Sequence, residues 1–514
     1  MFHLKCLVMI SLLNIVSCYN ILGVFLHPGK SHVDVFLPLM KELADRGHYV
    51  TVLSHYKLKV PIDRYTDIDL VGEVTPMKEV VDMQEIADNK FSSFREAILL
   101  GEMANISCET SLKMPGVQDL IRKKKQHNFD IIVSEFFNSD CHIGFHLLFQ
   151  APLIGITSST LMPWTSKRVA NPSNPSYIPN NLMRYSDVMT FGDRVLNTIA
   201  YIWHQFYFDV FINANDQRLI NSYFNRRMPS IKEGIYNVSL VLTNTHFSLN
   251  LPRPLVPNVV EIGGIHIGKA KKVPKNIEKW IDGSSDGVIY FSLGSMIKGH
   301  TFPTDKRKEF LKAFGKLSQT VLWKWENETM EGKPDNVMIQ KWMPQFDILC
   351  HPNVKAFISH GGLLGVTEAV HCGVPVIVMP QFGDQFTNAK ALESVGGGVI
   401  LHLSEATEES ISKALKKVLS SKFRQQAKEL SERFRDRPMS PMDTAIYWVE
   451  YVARHKGAPH MRTAAVNMPF YQYYLLDVIS FLILIVSLTL YIVVYVLKTM
   501  LKLFLSSSRK VKIN

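Results

Sequence analysis

Between Phe357 and Gln385 the sequence reads FISHGGLLGVTEAVHCGVPVIVMPQFGDQ. The residue types fall in an order that suits a ligand with three parts. His360, Gly361 and Gly362 follow a short apolar strand. Glycines let a backbone approach a diphosphate closely, and the helix that follows, with Gly365 in its first turn, presents unpaired N–H groups and the positive end of its dipole. Glu368 on that helix can bind both hydroxyls of a ribose. A second apolar strand, Val374 to Met379, is broken by Pro380, and Asp384 and Gln385 beyond it can hydrogen-bond sugar hydroxyls. The set would grip a nucleotide-activated sugar. The plainer alternative is a βαβ unit with a glycine turn and no ligand. It leaves unexplained why polar residues stand at each strand end, where open α/β sheets bind ligands.

This stretch resembles the signature of the UDP-glycosyltransferase family, every fixed position of which is met. The likeness runs over nearly the whole chain. It is strongest from Gly283 to Gln385 and loosest from Tyr56 to Asn128, where acceptor specificity is expected to reside. It implies an α/β protein of two facing Rossmann-like domains, the GT-B architecture, plus one C-terminal transmembrane helix. The implied reaction moves a hexose from a UDP-sugar to a hydroxyl group, with inversion at the anomeric carbon.

An alcohol is a poor nucleophile until its proton is removed, and a neutral imidazole is the natural base. His32 stands after the first strand, at the start of the first helix, where the positive dipole end disfavours imidazolium. Ser31-His32 matches the family's catalytic Ser-His position, and Arg46-Gly47-His48 downstream is also a family feature. Seen alone, a His at a helix start is more often a cap or surface residue. His27 is the nearest rival, and His48 is expected to be structural. The base needs a carboxylate to hold its tautomer. The family places an Asp just past the strand FDIIVS; here Glu135 ends that strand and Asp140 follows five residues later, and either can reach His32. Asp130, at the strand start, reads as structural.

On the donor side the family has W-x-P-Q, met by Trp342-Met343-Pro344-Gln345: Trp342 would stack on uracil and Gln345 would bind its edge or the ribose. Gly294-Ser295 after VIYFSL can offer N–H and hydroxyl donors to a phosphate. No DxD-type carboxylate pair stands at a strand end, so neither a metal nor any other cofactor is required; the UDP-sugar is a co-substrate. FSLGSMIKG, QKWMPQFDIL and PQFGDQFTNAK look like invertebrate, insect-type members, which mostly use UDP-glucose, whereas vertebrate members often use UDP-glucuronate. A carboxylate on the donor would need a dedicated cation; Lys324 and Lys341 are candidates that read equally well as solvated residues. The acceptors implied are small lipophilic molecules, in detoxification or endobiotic conjugation. Two other readings are a transferase for membrane lipids or protein-linked glycans, and a lumenal binding protein that retains the nucleotide site without turnover.

The elements that must position these residues are legible from periodicity. Ile21–Leu26 reads as a strand, Val33–Leu43 as a helix and Tyr49–Leu53 as the next strand, a βαβ opening that implies a parallel sheet. The strands FDIIVS and Pro152–Ile156 continue the first domain, residues 19–238. Asp193–Tyr223 reads as an aromatic-rich helix that packs, and can also wall an acceptor pocket. A second unit, 239–460, opens near Ser239 and takes Leu240–Thr243 and Val259–Ile262 among its strands, with Gly268–Lys275 as linker. Met442–His455 is a helix that, in the family, crosses back to the first domain.

The chain has 514 residues and a formal net charge of +11, with 46% hydrophobic and 20% charged residues. Its basic residues are dispersed. The densest run, Arg122 to Lys125, reads as a solvated helix end, so no nucleic-acid partner is expected. Residues 1–18 read as a secretory signal peptide. Residues 475–497 read as a transmembrane helix, because Val478–Leu497 at about 1.5 Å per residue spans roughly 30 Å, one bilayer core. The basic tail 498–514 would then face the cytosol and the body a lumen. The ending KVKIN resembles a dilysine retrieval address, which places the protein in the endoplasmic reticulum membrane as a single-pass type I protein. Cys108, Cys141, Cys350 and Cys372 show neither a disulfide framework nor a metal motif, so buried free thiols are expected. Sequons stand at Asn105, Asn237 and Asn327. Homo-oligomerisation stays open.

Overall fold

The computed structural model of the chain describes residues 18–72, 77–88, 92–224 and 227–511, with side chains to residue 506. The leader at 1–18 and the KVKIN terminus lie outside the described residues, save Cys18 and the backbone of residues 510 and 511.

Residues up to Arg462 form one compact unit. It holds two wholly parallel sheets. The first contains β1 (Asn20–Val24), β2 (Tyr49–Ser54), β3 (Tyr65–Asp69), β4 (Ile131–Glu135), β5 (Leu153–Thr157), β6 (Val238–Thr243) and β7 (Val259–Glu261), in the order β3-β2-β1-β4-β5-β6-β7. The second contains β8 (Val288–Ser292), β9 (Thr320–Lys324), β10 (Val337–Gln340), β11 (Val354–Ser359), β12 (Val376–Val378) and β13 (Gly398–Ile400), in the order β10-β9-β8-β11-β12-β13. Parallel strands need crossover helices on both faces, so their sequences are continuously apolar; β4, β5 and β8 are buried at every residue. Apolar side chains cover both faces of each sheet. The helix Lys30–Asp45, for example, buries Phe36, Leu39, Met40 and Leu43 against Ile21, Val50 and Val52.

The strands β6 and β7, expected from the sequence to open the second unit, instead extend the first sheet: β6 pairs with β5 (Gly155 opposite Val241) and β7 with β6. A buried apolar strand carries no mark of which of two parallel sheets it joins. The chain leaves the first sheet only after β7, and residues 268–275 lead to the helix Lys275–Asp282. The helix Pro441–Arg454 packs Ala445, Ile446, Val449 and Val452 into the core of the first sheet, and Arg46 on the first helix pairs with its Asp443 at 2.6 Å.

The four cysteines expected as free thiols form two disulfides, Cys108–Cys141 and Cys350–Cys372. Their separations of 33 and 22 residues gave no framework in the sequence, but the fold brings the Cα atoms to 6.2 and 4.9 Å, within bridging range. The second bridge joins the C-terminal ends of the helices Gln345–Leu349 and Leu363–Cys372.

Residues from Thr463 form a separate unit. It ends in the helix Leu476–Val511, whose 31 residues from Leu476 to Ser506 have a mean hydropathy of 2.7 and are long and apolar enough to cross a membrane.

Candidate active site

Each sheet has a topological switch point, β1 beside β4 and β8 beside β11, where crossovers leave in opposite directions and open a crevice at the strand ends. Both switch points carry the residues expected to do chemistry.

In the first sheet, His32 sits in the opening turn of the helix after β1, and Glu135 is the last residue of β4. His32 Nδ1 lies 2.5 Å from Glu135 Oε1. Ser158, just past β5, places Oγ 2.9 Å from His32 Nδ1 and 3.3 Å from Glu135 Oε1. The carboxylate thus fixes the proton on Nδ1 and leaves the Nε2 lone pair to accept another. Phe137 meets the imidazole edge-on with ring centroids 4.6 Å apart. The rival His27 is buried, its ring 4.3 Å from that of His32; burial, then the charges possible on His32 and His55, hold its pKa well below the usual range, so it is a neutral packing partner. His48 is structural: Nδ1 accepts from Tyr19 N–H, and Nε2 lies 3.3 Å from Glu450.

Asp140 does not reach the base. It is fully buried in an ion pair with Arg168, and its backbone N–H donates to Asp216 Oδ2 at 2.6 Å. Its side chain is turned into the core beside the Cys108–Cys141 bridge, whereas β4 aligns with β1 and carries Glu135 straight to the end of the first strand (Ser134 pairs with Val24).

In the second sheet, Gly294 and Ser295 follow β8, and His360, Gly361 and Gly362 follow β11. Both Gly294 and Gly362 are shaped around His360: a Cβ on either would come within 2.5 Å of its ring, and Gly294 has φ of +79°. Burial, then Lys324, lowers the His360 pKa to about 4, so its ring is neutral, and Nδ1 is buried without a partner. Gly362 caps the helix Leu363–Cys372 without a side-chain hydrogen bond, so the first N–H groups stay open toward the crevice. Further along that helix Glu368 accepts from Gln345 Nε2 at 2.7 Å, and Gly365 leaves room for Gln345, since a Cβ there would stand 3.0 Å from Nε2. Burial raises the Glu368 pKa to about 7. Trp342 presents an indole 64% exposed from the loop after β10.

Asp384 and Gln385 begin the helix Gln385–Ser394. Asp384 Oδ2 accepts from Asn388 Nδ2 at 2.9 Å; burial raises its pKa, and the nearby His32 pulls against that rise. The base of the first sheet and the carboxylate of the second are therefore within electrostatic reach of each other. Gln385 Oε1 accepts from Gln381 N–H at 2.9 Å, which orients its amide. Of the two lysines considered for a donor carboxylate, Lys324 is buried against Glu326 at 2.8 Å and Lys341 is exposed and paired with Glu328.

Three residues were missed in the sequence. Ser158 had a readable signal, since it follows the strand Pro152–Ile156. Glu96, on the helix Ser93–Lys113, accepts from the Gly383 N–H, and burial raises its pKa to about 7. His266 brings Nε2 to 3.9 Å from Glu368 Oε1. The last two come from segments distant in sequence, and no local pattern marks them.

Two parallel Rossmann-like sheets with paired switch points define a GT-B glycosyltransferase, and solved structures agree at the level of fold. A UDP-glucosyltransferase from Polygonum tinctorium, described as capable of glucosylating indoxyl, matches with a TM-score of 0.57 at 17% identity over 85% of this chain and 99% of that one. TcCGT1 in complex with UDP matches with a TM-score of 0.56 at 16% identity over 86% and 100%. Among sequences, UDP-glycosyltransferase UGT5 of Dactylopius coccus is 43% identical over 96% of this chain and 95% of its own length. UDP-glucuronosyltransferase 1A7 of Rattus norvegicus is 38% identical over 73% and 70%. Residues 29–511 match the family described as "UDP-glucoronosyl and UDP-glucosyl transferase", and the chain belongs to that family. It is an enzyme that transfers sugar from a UDP-sugar donor to an acceptor; the family needs no metal cofactor.

Proposed function

We propose that this enzyme transfers glucose from UDP-glucose to a hydroxyl of small lipophilic acceptors, with inversion, in detoxification or endobiotic conjugation at the endoplasmic reticulum membrane. The observation that carries the proposal is the His32–Glu135 pair at 2.5 Å, with Asp384 of the second domain within electrostatic reach of His32. In the step it supports, His32 Nε2 takes the acceptor proton as the alcohol oxygen bonds to the anomeric carbon. The bond from that carbon to the diphosphate oxygen breaks, and UDP leaves with the electron pair. Glu135 steadies the imidazolium. The N–H groups at Gly361 to Leu364 and the His360 ring meet the developing phosphate charge, Glu368 and Gln345 the ribose, Trp342 the uracil, and Asp384 and Gln385 the sugar.

The charges at the sugar end favour a neutral hexose. Glu96 and Asp384 both lie there, and the cation beside them, Arg184, stacks on Phe386 at 4.0 Å. A donor carboxylate would meet two acidic groups. On the acceptor side, Leu100, Gly101, Trp164, Tyr207 and Phe208 line a small apolar crevice of about 10 Å³, so an acceptor would have to open it further. Trp164 donates to the Phe137 carbonyl at 2.6 Å, and Phe137 meets the His32 ring, so side chains in contact link this crevice to the base. The two disulfides fit an oxidising lumen. Of the sequons, Asn327 stands exposed on a turn, whereas Asn105 is within a helix and bonded to Asn215.

The test is an acceptor screen with labelled UDP-glucose and UDP-glucuronate on microsomes carrying the chain. Glucosylation of phenols or sterols is expected, and His32→Ala should abolish it while UDP-glucose still binds. Preference for UDP-glucuronate, or normal turnover by His32→Ala, would overturn the proposal.

A further inference from the structure

Residues 77–85 belong by sequence to the first domain, between β3 and the helix Ser93–Lys113, but their hydrogen bonds are divided between the two domains. On one side Met77 pairs with Gly29, and its N–H donates to the Pro28 carbonyl at 2.9 Å. The Tyr56 hydroxyl donates to the same carbonyl at 3.1 Å. Gly29 caps the helix that carries His32 in its opening turn. Two residues further on the partners change. Glu79 N–H donates to the Ser295 carbonyl at 2.8 Å, and the N–H groups of Val80 and Val81 both reach the Met296 carbonyl, at 2.9 and 3.0 Å. Lys298 N–H returns to the Val81 carbonyl at 2.9 Å, and Val81 pairs with Ile297. These partners belong to the loop that follows β8, with Gly294 and Ser295 near its head. Consecutive Cα atoms lie about 3.8 Å apart, so the segment passes from the base-bearing loop to this one in roughly 7 Å.

A side chain fixes the far end of the segment. Met83 is fully buried, not in the core of the first domain but in the apolar core of the second, with Ile297, Phe302 and Trp323. Its N–H donates to Thr301 Oγ1 at 2.9 Å, and Asp82 Oδ1 accepts from Gln84 N–H at 2.8 Å at the start of the short helix Met83–Asp88. Glu79 has a φ of +52°, a left-handed conformation that a residue with a Cβ keeps only where its surroundings hold it. Its carboxylate stands 4.0 Å from Lys324 Nζ. Withdrawing the segment would expose Met83 to water and leave a cavity in the second core, so the tie is part of the folded enzyme. No motif marks it, because it lies in the stretch 56–128 where the likeness to the family is loosest.

We propose that Met83 is a positioning residue for sugar transfer. By anchoring residues 79–81 on the second domain, it holds the loop that carries His32 in register with the loop after β8, which is assigned to the donor phosphate. The inference rests on the assignment of His32 as base and of the second sheet as the donor site. Transfer needs the acceptor oxygen within about 3–3.5 Å of the anomeric carbon while its proton is in reach of His32 Nε2. The base stands on one domain and the donor on the other, so their separation is set by what spans the gap. A misplacement of about 1 Å costs roughly 100-fold in rate. Nucleotide binding by the second sheet does not depend on that separation.

The test uses the full-length enzyme in detergent, with UDP-glucose as donor and 1-naphthol as a phenol acceptor. It reads kcat, UDP-glucose affinity by calorimetry, and Tm. Met83→Ala removes the anchor, whereas two glycines inserted after Lys78 lengthen the span and leave Met83 in place. Both should lower kcat per folded molecule by roughly 10- to 100-fold while UDP-glucose affinity stays within about twofold. The insertion should leave Tm unchanged, and Met83→Leu, which refills the core, should recover most of the rate. Native kcat in the insertion variant overturns the inference. So does a loss of UDP-glucose affinity in parallel with kcat, which makes the segment part of the donor site. A lowered Tm with native kcat per folded molecule in Met83→Ala reduces Met83 to a core residue and overturns it too. Normal turnover by His32→Ala, or no glucose transfer by the native enzyme, removes the functional reading beneath the inference, whatever the Met83 and insertion variants do.

Discussion

The burial of Glu368 makes donor binding depend on pH in a calculable way. Desolvation raises its pKa to about 7 from an ordinary 4.5, although the amide of Gln345 works against the rise. Below about pH 7 the ligand-free enzyme therefore holds a neutral carboxyl there. Two ribose hydroxyls are best accepted by the ionised carboxylate, so binding must expel the proton. Donor affinity falls as pH falls: with a single group at about 7, it drops about tenfold, or about 1.4 kcal/mol, between pH 8 and pH 6. About 0.9 proton is released per donor bound near pH 6. UDP-glucose is the right probe, because its diphosphate is fully ionised throughout. Titration calorimetry at each pH in two buffers of different ionisation enthalpy measures affinity and proton release together. Glu368→Gln should weaken binding at pH 8 by roughly tenfold to a hundredfold, the loss of charge-assisted hydrogen bonds, and should flatten the pH dependence; any slope left in the variant belongs to Asp384, whose carboxyl is also raised by burial. The same carboxyl makes the free protein less stable as pH rises from about 4.5 through about 7, since the native state keeps a proton that the unfolded chain has lost. PH-independent affinity in the native enzyme, or native affinity in Glu368→Gln, would refute the ribose assignment.

Two further outcomes separate the carboxylates near the first switch point. Glu135→Gln should lower kcat by about 10³–10⁴, the cost of losing the group that sets the imidazole tautomer, with UDP-glucose affinity unchanged by calorimetry. Asp140→Asn should instead cost about 3–5 kcal/mol of stability by stripping Arg168 of its buried counter-charge, seen as a lowered Tm, while kcat per folded molecule stays within a few-fold of native.

The donor half was readable because its chemistry is local. His360 to Gln385 follow one another along β11, a helix and β12, so spacing in the chain is spacing in the crevice. His32 was readable for the same reason, one strand and one turn from the start of the domain. What failed depends on distance. Choosing Glu135 over Asp140 required the alignment of β4 with β1, 110 residues apart. The disulfides needed helix ends brought together by packing, and β6 and β7 needed to know which sheet edge was unpaired. Glu96 reaches the sugar end from a segment 287 residues before Gly383 in a chain whose local pattern there is an ordinary amphipathic helix, and no periodicity encodes that approach.

The six strands of the second sheet repeat the order of the first six of the first sheet, yet their switch points differ in what they offer. One supplies a base held by buried carboxylate and hydroxyl partners, and the other supplies open backbone N–H groups for an anion. This division has a consequence for specificity. On the proposed assignment the second sheet alone holds the nucleotide, so the first sheet and its attached helices could vary around the base without disturbing uridine binding. The hexose itself escapes that separation. Glu96 comes from the same helix whose Leu100 and Gly101 line the small apolar crevice, and its carboxylate accepts from the Gly383 N–H, beside Asp384. On the proposed assignment, a substitution on that helix that opens the crevice for a new acceptor would also move a carboxylate at the sugar end. That assignment couples acceptor choice and sugar choice through one helix, although it places the two substrates on different sheets.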